Sequence, residues 1–434
     1  MSLTSKASSL DLEPVLRELV DWRYKSFPAG PPIPLREVPR MRWNVLDGDF
    51  MFPVMVLKEA ALRHNLEAMA DFCRHHGVLL APHGKTAMAP QLFAMQREAG
   101  AWAVTAATSS QVRVWRAVGV ERVLLANELV EPAAIRWVAE EMRGDPAFDF
   151  HCLVDSVAGV RRLAEVLDVV ELDRPLHVLV ELGFGGGRTG CRTREQALEV
   201  ARAVVASRRL ALEGVEVFEG ILHADGLAAT LGAVDEFLRA MRSVVEDLDQ
   251  AGLFDRVPEV IVSAGGSAFL DRVVAGLAGS WSLSRPVRLV LRSGCYLTHD
   301  AVHYSDLSPF GSRLPDTRPL REALEVWGVV LSLPEPGLAL LGFGKRDVSY
   351  DMDLPVPRLL KRSGEPPRPL AGGAAIVALN DQHAYMRLDQ AGELRVGDLV
   401  GCGISHPCTA FDKWRLIPLV DEGYRVLDAV LTYF

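Results

Sequence analysis

Between residues 78 and 291 the chain alternates short apolar, β-branched runs with longer stretches whose apolar residues recur every three or four positions. The runs are Val78–Pro82, Trp102–Ala106, Arg122–Asn127, Phe150–Asp155, His177–Leu182, Val215–Ile221, Glu259–Ala264 and Arg288–Leu291. The helical patterns between them include Pro90–Glu98, Pro132–Met142, Val157–Leu167, Arg194–Ser207, Leu227–Ala251 and Ala268–Leu277. Pro132 near a helix start and Gly252 past a helix end suit the usual asymmetry of helix termini. Eight strands alternating with helices predict a (β/α)8 barrel. A doubly wound open sheet is the alternative. It does not require eight strands, and its Gly-rich fingerprint does not follow the first run, where His83-Gly84-Lys85 stands instead.

Beyond about residue 310 the texture changes. Pro, Gly and Arg accumulate at 309–321, 334–337 and 355–369. Between and after them come the strand-like runs Val326–Leu333, Leu338–Gly342, Ala374–Leu379, Leu394–Ile404, Arg415–Val420 and Tyr424–Thr432. Without a long helical period, this half reads as an all-β domain. The stretch before residue 50, with Trp43 and Val45, is expected to lend it a strand. The predicted organisation is an N-terminal extension (1–50), a barrel (51–305) and a C-terminal β domain (306–434), as 434 residues favour more than one domain.

Composition narrows the function. A net charge of −9 and no dense Lys/Arg run argue against a nucleic-acid surface. No apolar run is long enough to span a bilayer, and Met1 to Glu13 lacks the basic start and apolar core of a signal peptide. The six cysteines (Cys73, Cys152, Cys191, Cys295, Cys402 and Cys408) are scattered, which suggests reduced thiols and a cytoplasmic location. Only seven of the 47 Lys and Arg residues are lysines. A lysine kept in an apolar segment therefore stands out, because arginine cannot give up a proton to act as an amine.

Lys85 is such a lysine, just past the first predicted strand, at the face where barrel enzymes gather their catalytic groups. Desolvation there favours the neutral amine that a Schiff base needs; on position alone a solvated loop lysine is the competing reading. After the seventh strand comes Ser263-Ala264-Gly265-Gly266-Ser267, running into a helix, and after the eighth comes Arg292-Ser293-Gly294-Cys295-Tyr296. Loops at those two positions commonly hold phosphate, through glycine amides and a helix N-terminus. The loop Gly183–Gly190 follows the fifth strand and brings Arg188 toward the barrel mouth, where it could meet an anionic oxygen. Near the C-terminus, Ser405-His406-Pro407-Cys408-Thr409 follows an apolar run. In an extended segment positions i and i+2 share a side, so His406 and Cys408 can converge, and imidazole with thiolate suits Zn²⁺. A buried cysteine beside a structural histidine is the plainer reading. His383 and Cys402 are possible helpers, more simply explained as core residues.

Together these segments resemble the D-serine dehydratase and D-threonine aldolase group of alanine-racemase-like, fold-type III pyridoxal-phosphate enzymes. The resemblance rests on Pro82-His83-Gly84-Lys85-Thr86, the glycine loop ending Arg188-Thr189-Gly190, the Ala-Gly-Gly-Ser loop, the Arg-Ser-Gly-Cys-Tyr loop and the final His-Pro-Cys-Thr, in order. It implies a barrel carrying the cofactor plus a β domain. It makes Lys85 the Schiff-base lysine and α-proton base, within a cofactor segment that includes His83. It sets Arg188 at the phenolic oxygen, and Gly265, Gly266, Ser267, Gly294 and Tyr296 at the phosphate. His406 and Cys408 become zinc ligands of the dehydratase branch, since the aldolase branch typically carries His-x-Asp. The sixth strand departs from the pattern: Phe218-Glu219-Gly220-Ile221 stands where relatives often have tyrosine followed by Gly-His. The expected activity is zinc-assisted dehydration of D-serine or a related β-hydroxy-D-amino acid to a 2-oxo acid and ammonia; long relatives are commonly called amino-acid deaminases, so the substrate need not be serine. D-threonine-type aldol cleavage and a non-catalytic pyridoxal-phosphate carrier are the alternatives. A homodimer is a family expectation.

Overall fold

The computed structural model describes residues 10–170, 172–389 and 394–434; the first nine residues of the stretch read for a signal lie outside them. Eight parallel strands form one sheet: Leu79–Leu80, Val104–Ala106, Arg122–Glu128, Asp149–Val154, Leu176–Leu182, Leu210–Val217, Val260–Ala264 and Val287–Leu291, barrel strands one to eight. Strand eight pairs with strand one through Val290 and Leu79. Between strands one and two, Trp102 N donates to Leu80 O at 2.7 Å and Thr105 N to Pro82 O at 3.0 Å. The sheet therefore curls round on itself, which removes the open-sheet alternative. Every residue of strands six and seven is buried, as parallel strands are when helices cover one face and side chains fill the other.

The lumen is plugged. Ala81, Ala103, Leu124, Leu153, Leu179, Ile261 and Val290 form a buried layer of their own, drawn from, or next to, every strand but the sixth. Strand six passes this level at Gly214, whose Cβ would lie 1.8 Å from the carbonyl oxygen of Ile261. The two backbones can approach this closely only because the residue is glycine. The plug makes the barrel a packed core and leaves its C-terminal mouth for chemistry.

The outer helices follow the sequence pattern. Leu227–Gln250 buries Thr230, Val234, Leu238, Met241, Val245 and Leu248, a single face at three- and four-residue spacing. Pro90 and Pro132 lie in first turns, and the hydroxyls of Thr108 and Thr193 accept the N–H groups of Gln111 and Gln196 as N-caps. Glu59–His76 and Ser109–Ala117 are further helices, unmarked by the sequence pattern. Strand six lies earlier than its apolar run: it begins at Leu210 and ends at Val217, and Glu219–Ile221 is a 3-10 turn. The helix after strand seven begins at Leu270 rather than Ala268. No described helix is long and apolar enough to cross a membrane.

The second sheet is antiparallel apart from one pair. Its order is Arg368–Pro369, Val356–Lys361, Leu399–Gly403, Leu324–Glu335, Leu338–Leu341, Ala384–Leu388, Ala374–Leu379. Val54–Lys58 joins it, antiparallel to Leu324–Glu335 and parallel to Leu416–Val420, which in turn pairs with Val426–Leu431. The run read as Leu394–Ile404 is strand only over Leu399–Gly403. Instead of a strand, the stretch around Trp43 and Val45 makes a single bridge, Asn44 to Arg425. The fold is a (β/α)8-type barrel with a C-terminal β domain.

Candidate active site

Side chains on a strand alternate between its two faces, so two residues beyond each plug position the same face looks into the barrel mouth. Those positions are His83, Thr105, Ala126, Asp155, Glu181, Glu216, Ser263 and Arg292. Five of them (His83, Ala126, Glu181, Glu216 and Arg292) line one cavity of about 200 Å³, together with Lys85, Arg188, Phe218 and Gly266. Lys85 lies in the 3-10 turn Gly84–Thr86 that follows strand one. The guanidinium of Arg188 sits over the Phe218 ring, 4.6 Å from its centroid. The cavity thus brings together the expected amine, the arginine from the glycine loop, His83 and part of the first phosphate loop.

His83 is poised to meet a ligand. Burial, followed by the positive charges of Lys85 and Arg292, pushes its imidazole well below the ordinary value, and its Nδ1 is buried without a hydrogen-bond partner. Such an atom costs free energy unless something else satisfies it. Arg292 donates to Ser263 Oγ at 2.8 Å and Val217 O at 3.0 Å and pairs with Glu216. Burial pushes Glu216 up to about 7, with Arg292 opposing the rise. Across the mouth, burial and contact with Glu181 push Glu128 up to about 9.

The phosphate-type loops are arranged less uniformly than the sequence suggests. The amides of Gly265 and Gly266 donate to the two carboxylate oxygens of Glu219, at 3.1 and 2.6 Å. The loop is therefore an anion-binding nest, and a side chain of the departing Phe-Glu-Gly-Ile segment sits on it. Ser267 follows, half-buried. Gly294 packs under the lysine turn: a Cβ there would lie 2.6 Å from His83 O and 2.8 Å from Thr86 Oγ1. Tyr296 is turned into the core, where its hydroxyl accepts from Gln96 Nε2 at 3.1 Å.

His406 and Cys408 come together at the edge of the same region. They are in side-chain contact, and this contact, followed by Asp351, holds His406 up at about 9 against burial. Nδ1 of His406 lies 2.6 Å from Asp351 Oδ2, which leaves Nε2 for other work. Contact from the Cys295 thiol, with His406 and Thr86, holds Cys408 well below the ordinary thiol value despite burial. A thiolate is the metal-binding form of cysteine. Cys408 Sγ lies 3.5 Å from the hydroxyl of Thr86, the neighbour of Lys85. His383 is exposed, and Cys402 is fully buried with burial raising its thiol.

Sequence reasoning passed over Glu128, Glu181, Glu216, Arg292 as a mouth residue, and Asp351. For Glu181, Glu216 and Arg292 a signal existed: a charged residue two positions past an inward small or apolar one. Asp351 gives none, since only the tertiary fold brings it to His406.

The donors suit pyridoxal phosphate: an amine, two guanidiniums and an unpartnered imidazole nitrogen around one cavity, beside a glycine nest whose amides a phosphate would take over from Glu219. Thiol and imidazole beside them suit zinc. Residues 57–277 match the family described as "Alanine racemase, N-terminal domain", and residues 323–420 the family described as "Putative serine dehydratase domain". A 3-hydroxy-D-aspartate aldolase of Paracoccus denitrificans (strain Pd 1222) is 25% identical over 311 residues, 71% of this chain and 76% of that protein. A D-threonine aldolase of Arthrobacter sp is 25% identical over 376 residues, 86% and 89% of the two chains. Among solved structures, D-threonine aldolase from Filomicrobium marinum shares the fold with a TM-score of 0.72 at 22% identity, covering 88% of this chain and 95% of that one. D-threo-3-hydroxyaspartate dehydratase from Delftia sp. HT23 does so with a TM-score of 0.70 at 21% identity, covering 88% and 97%. The barrel match alone takes in more than half of the chain, and the dehydratase-type domain follows it in order. The chain therefore belongs to the D-serine dehydratase and D-threonine aldolase group of fold-type III pyridoxal-phosphate enzymes.

Proposed function

We propose that this protein dehydrates D-serine or a related β-hydroxy-D-amino acid to a 2-oxo acid and ammonia, with pyridoxal phosphate held by Lys85 and zinc held by His406 and Cys408. The observation that carries this reading is the contact between Cys408 and Thr86, which sets the thiol and imidazole beside the turn that bears Lys85. When bound, the cofactor supplies an electron sink for the α-carbon, and zinc supplies Lewis acidity for a poor leaving hydroxyl. The amine of Lys85 removes the α-proton. Arg188, steadied on Phe218, holds an anionic oxygen at the cavity rim. Gly265, Gly266, Ser267 and Gly294 would hold the phosphate end once Glu219 gives up the first two amides, with Tyr296 bracing the second loop from the core. His83, short of a partner at Nδ1, would meet the cofactor from the first strand's end, and the plug closes the barrel beneath.

Aldol cleavage is the rival, and the two curated relatives named above favour it because both are aldolases. The metal pair favours dehydration. A D-threo-3-hydroxyaspartate dehydratase has been solved with a histidine replaced by alanine, and with a cysteine two positions later replaced, the latter in metal-free form. His406 and Cys408 have the same spacing. Incubation with D-serine and with D-threonine separates the readings: ammonia with a 2-oxo acid supports dehydration, whereas glycine with an aldehyde overturns it.

A further inference from the structure

We infer that Cys295 is a third protein ligand of the zinc site, making it a Cys₂His centre with one open position. The inference rests on the zinc reading above and goes beyond its two ligands. Cys295 begins the 3-10 turn Cys295–Leu297 after barrel strand eight, and Cys408 begins the short helix Cys408–Phe411 of the β domain. Their sulfurs lie 3.5 Å apart. Two thiolates on one tetrahedral zinc, each about 2.3 Å from the metal, are held about 3.8 Å apart. A disulfide would bring them to about 2 Å. The observed separation is within a few tenths of an ångström of the shared-metal spacing and far from a covalent bond.

As placed, the two sulfurs and a ring nitrogen of His406 do not all lie within 4.8 Å of one another, so closing the site requires the imidazole to turn toward Cys295. The other surroundings agree. Cys295 is buried and meets the hydroxyls of Thr86, at 3.8 Å, and Tyr304. Cys408 meets Cys295, Thr86 and His406. Asp351 Oδ2 lies 2.6 Å from Nδ1 of His406, the place of an outer carboxylate that orients a histidine ligating through its other nitrogen. Catalytic zinc sites usually keep three protein ligands and one open position, and two cysteines with one histidine are an established set. Two ligands alone would leave the ion largely to water. With Cys295 included, the barrel and the β domain each supply sulfur. The metal would also be tied to the loop that carries Arg292 and Gly294.

Cobalt substitution of the full chain tests this. Thiolate-to-cobalt charge transfer in the near ultraviolet grows with the number of bound thiolates. The wild-type chain should give about twice the intensity per cobalt of either Cys295→Ser or Cys408→Ser, and the double variant almost none. Zinc affinity, read by chelator competition, should fall at least about tenfold in Cys295→Ser, no less than for loss of an outer partner. X-ray absorption of the zinc-loaded wild-type chain needs no variant and should count two sulfur neighbours. One sulfur neighbour, or an undiminished cobalt band in Cys295→Ser, overturns the inference and leaves the two-ligand reading standing. A wild-type chain that binds neither zinc nor cobalt overturns both.

Discussion

Asp300 Oδ2 accepts the backbone N–H of His406 at 2.9 Å, and so ties the end of the barrel to the loop that carries the thiol and imidazole. The other oxygen of this buried carboxylate accepts three amides of its own loop, those of Val302, Tyr304 and Ser305. His406 has φ +50°, in the left-handed region. For a residue other than glycine this costs about 1–3 kcal/mol unless the surroundings enforce it. Asp300 is one such enforcer. In Asp300→Asn, whichever oxygen becomes the amide nitrogen loses its accepted bonds, so the His406 loop is expected to relax. Zinc affinity should fall about 10–100-fold, as for outer partners of metal ligands, while the far-ultraviolet circular dichroism stays native. Unchanged affinity in a chelator titration would show that Asp300 only braces the fold.

Lys85→Arg keeps the charge and removes the amine chemistry, since a guanidinium does not deprotonate in proteins. The expected outcome is loss of the visible absorbance of bound cofactor, no label trapped by borohydride, and activity lower by at least about 10²–10⁴-fold. Cys408→Ala should behave differently, sparing the absorbance and stopping ammonia release. If Lys85→Arg retained a reducible chromophore, another of the seven lysines would hold the cofactor.

The contrast between these two predictions mirrors what could be read in the chain. The place of Lys85 at the cavity was legible because a parallel strand buried on both faces reads as an apolar run, and the run's end locates the mouth. The same logic located the glycine loops after strands five, seven and eight. It failed where chemistry depends on distant parts of the chain meeting. His406 and Asp351 are 55 residues apart, and Cys295 and Cys408 are 113 apart; no local period encodes either contact. Val54–Lys58 shows the same limit in the fold, since its apolar run adjoins the barrel in sequence but pairs with Leu324–Glu335. The turn at Glu219–Ile221 interrupted a run that looked like continuous strand, and there a side chain outweighs the pattern by filling the glycine nest.

Gly294→Ala probes the lysine turn without touching its chemistry. The added methyl would sit 2.6 Å from His83 O and 2.8 Å from Thr86 Oγ1, so the turn bearing Lys85 must shift. Overpacking of this kind costs about 1–3 kcal/mol. Cofactor affinity, followed by spectroscopic titration, should weaken by about tenfold or more for the same reason. Gly364→Ala is the control for a generic glycine effect, since nothing lies within 4 Å of a Cβ there and its positive φ makes any alanine strained. Equal losses of cofactor affinity in the two variants would refute a local effect on the lysine turn.

Below the plug, the barrel carries a charge network far from the mouth, and it should set the pH range of stability. His177 Nδ1 lies 3.1 Å from Glu213 and 3.5 Å from Asp149, Glu213 lies 2.5 Å from His151 Nε2, and Arg122 lies 2.6 Å from Asp149. Burial alone would lower the imidazole of His177, but Asp149 and Glu213 outweigh it and push it up to about 9. Burial would raise Glu213, but His151 and His177 pull it down to about 2. A raised histidine stabilises the fold fully below its unfolded value of about 6.5 and loses that contribution as pH climbs through about 9. A lowered carboxylate stabilises it above its unfolded value of about 4.3 and loses that as pH falls through about 2. The network's contribution should therefore be flat between about pH 4.5 and 6.5 and decline on both sides. His177 is partly exposed, so solvent screening reduces the size of the alkaline limb. Denaturant melts of the wild-type chain and His177→Gln across pH 5 to 10 read this directly. The stability difference between them should shrink as pH rises from about 6.5 to 9, and a difference independent of pH would mean that packing, rather than charge, is what His177 contributes.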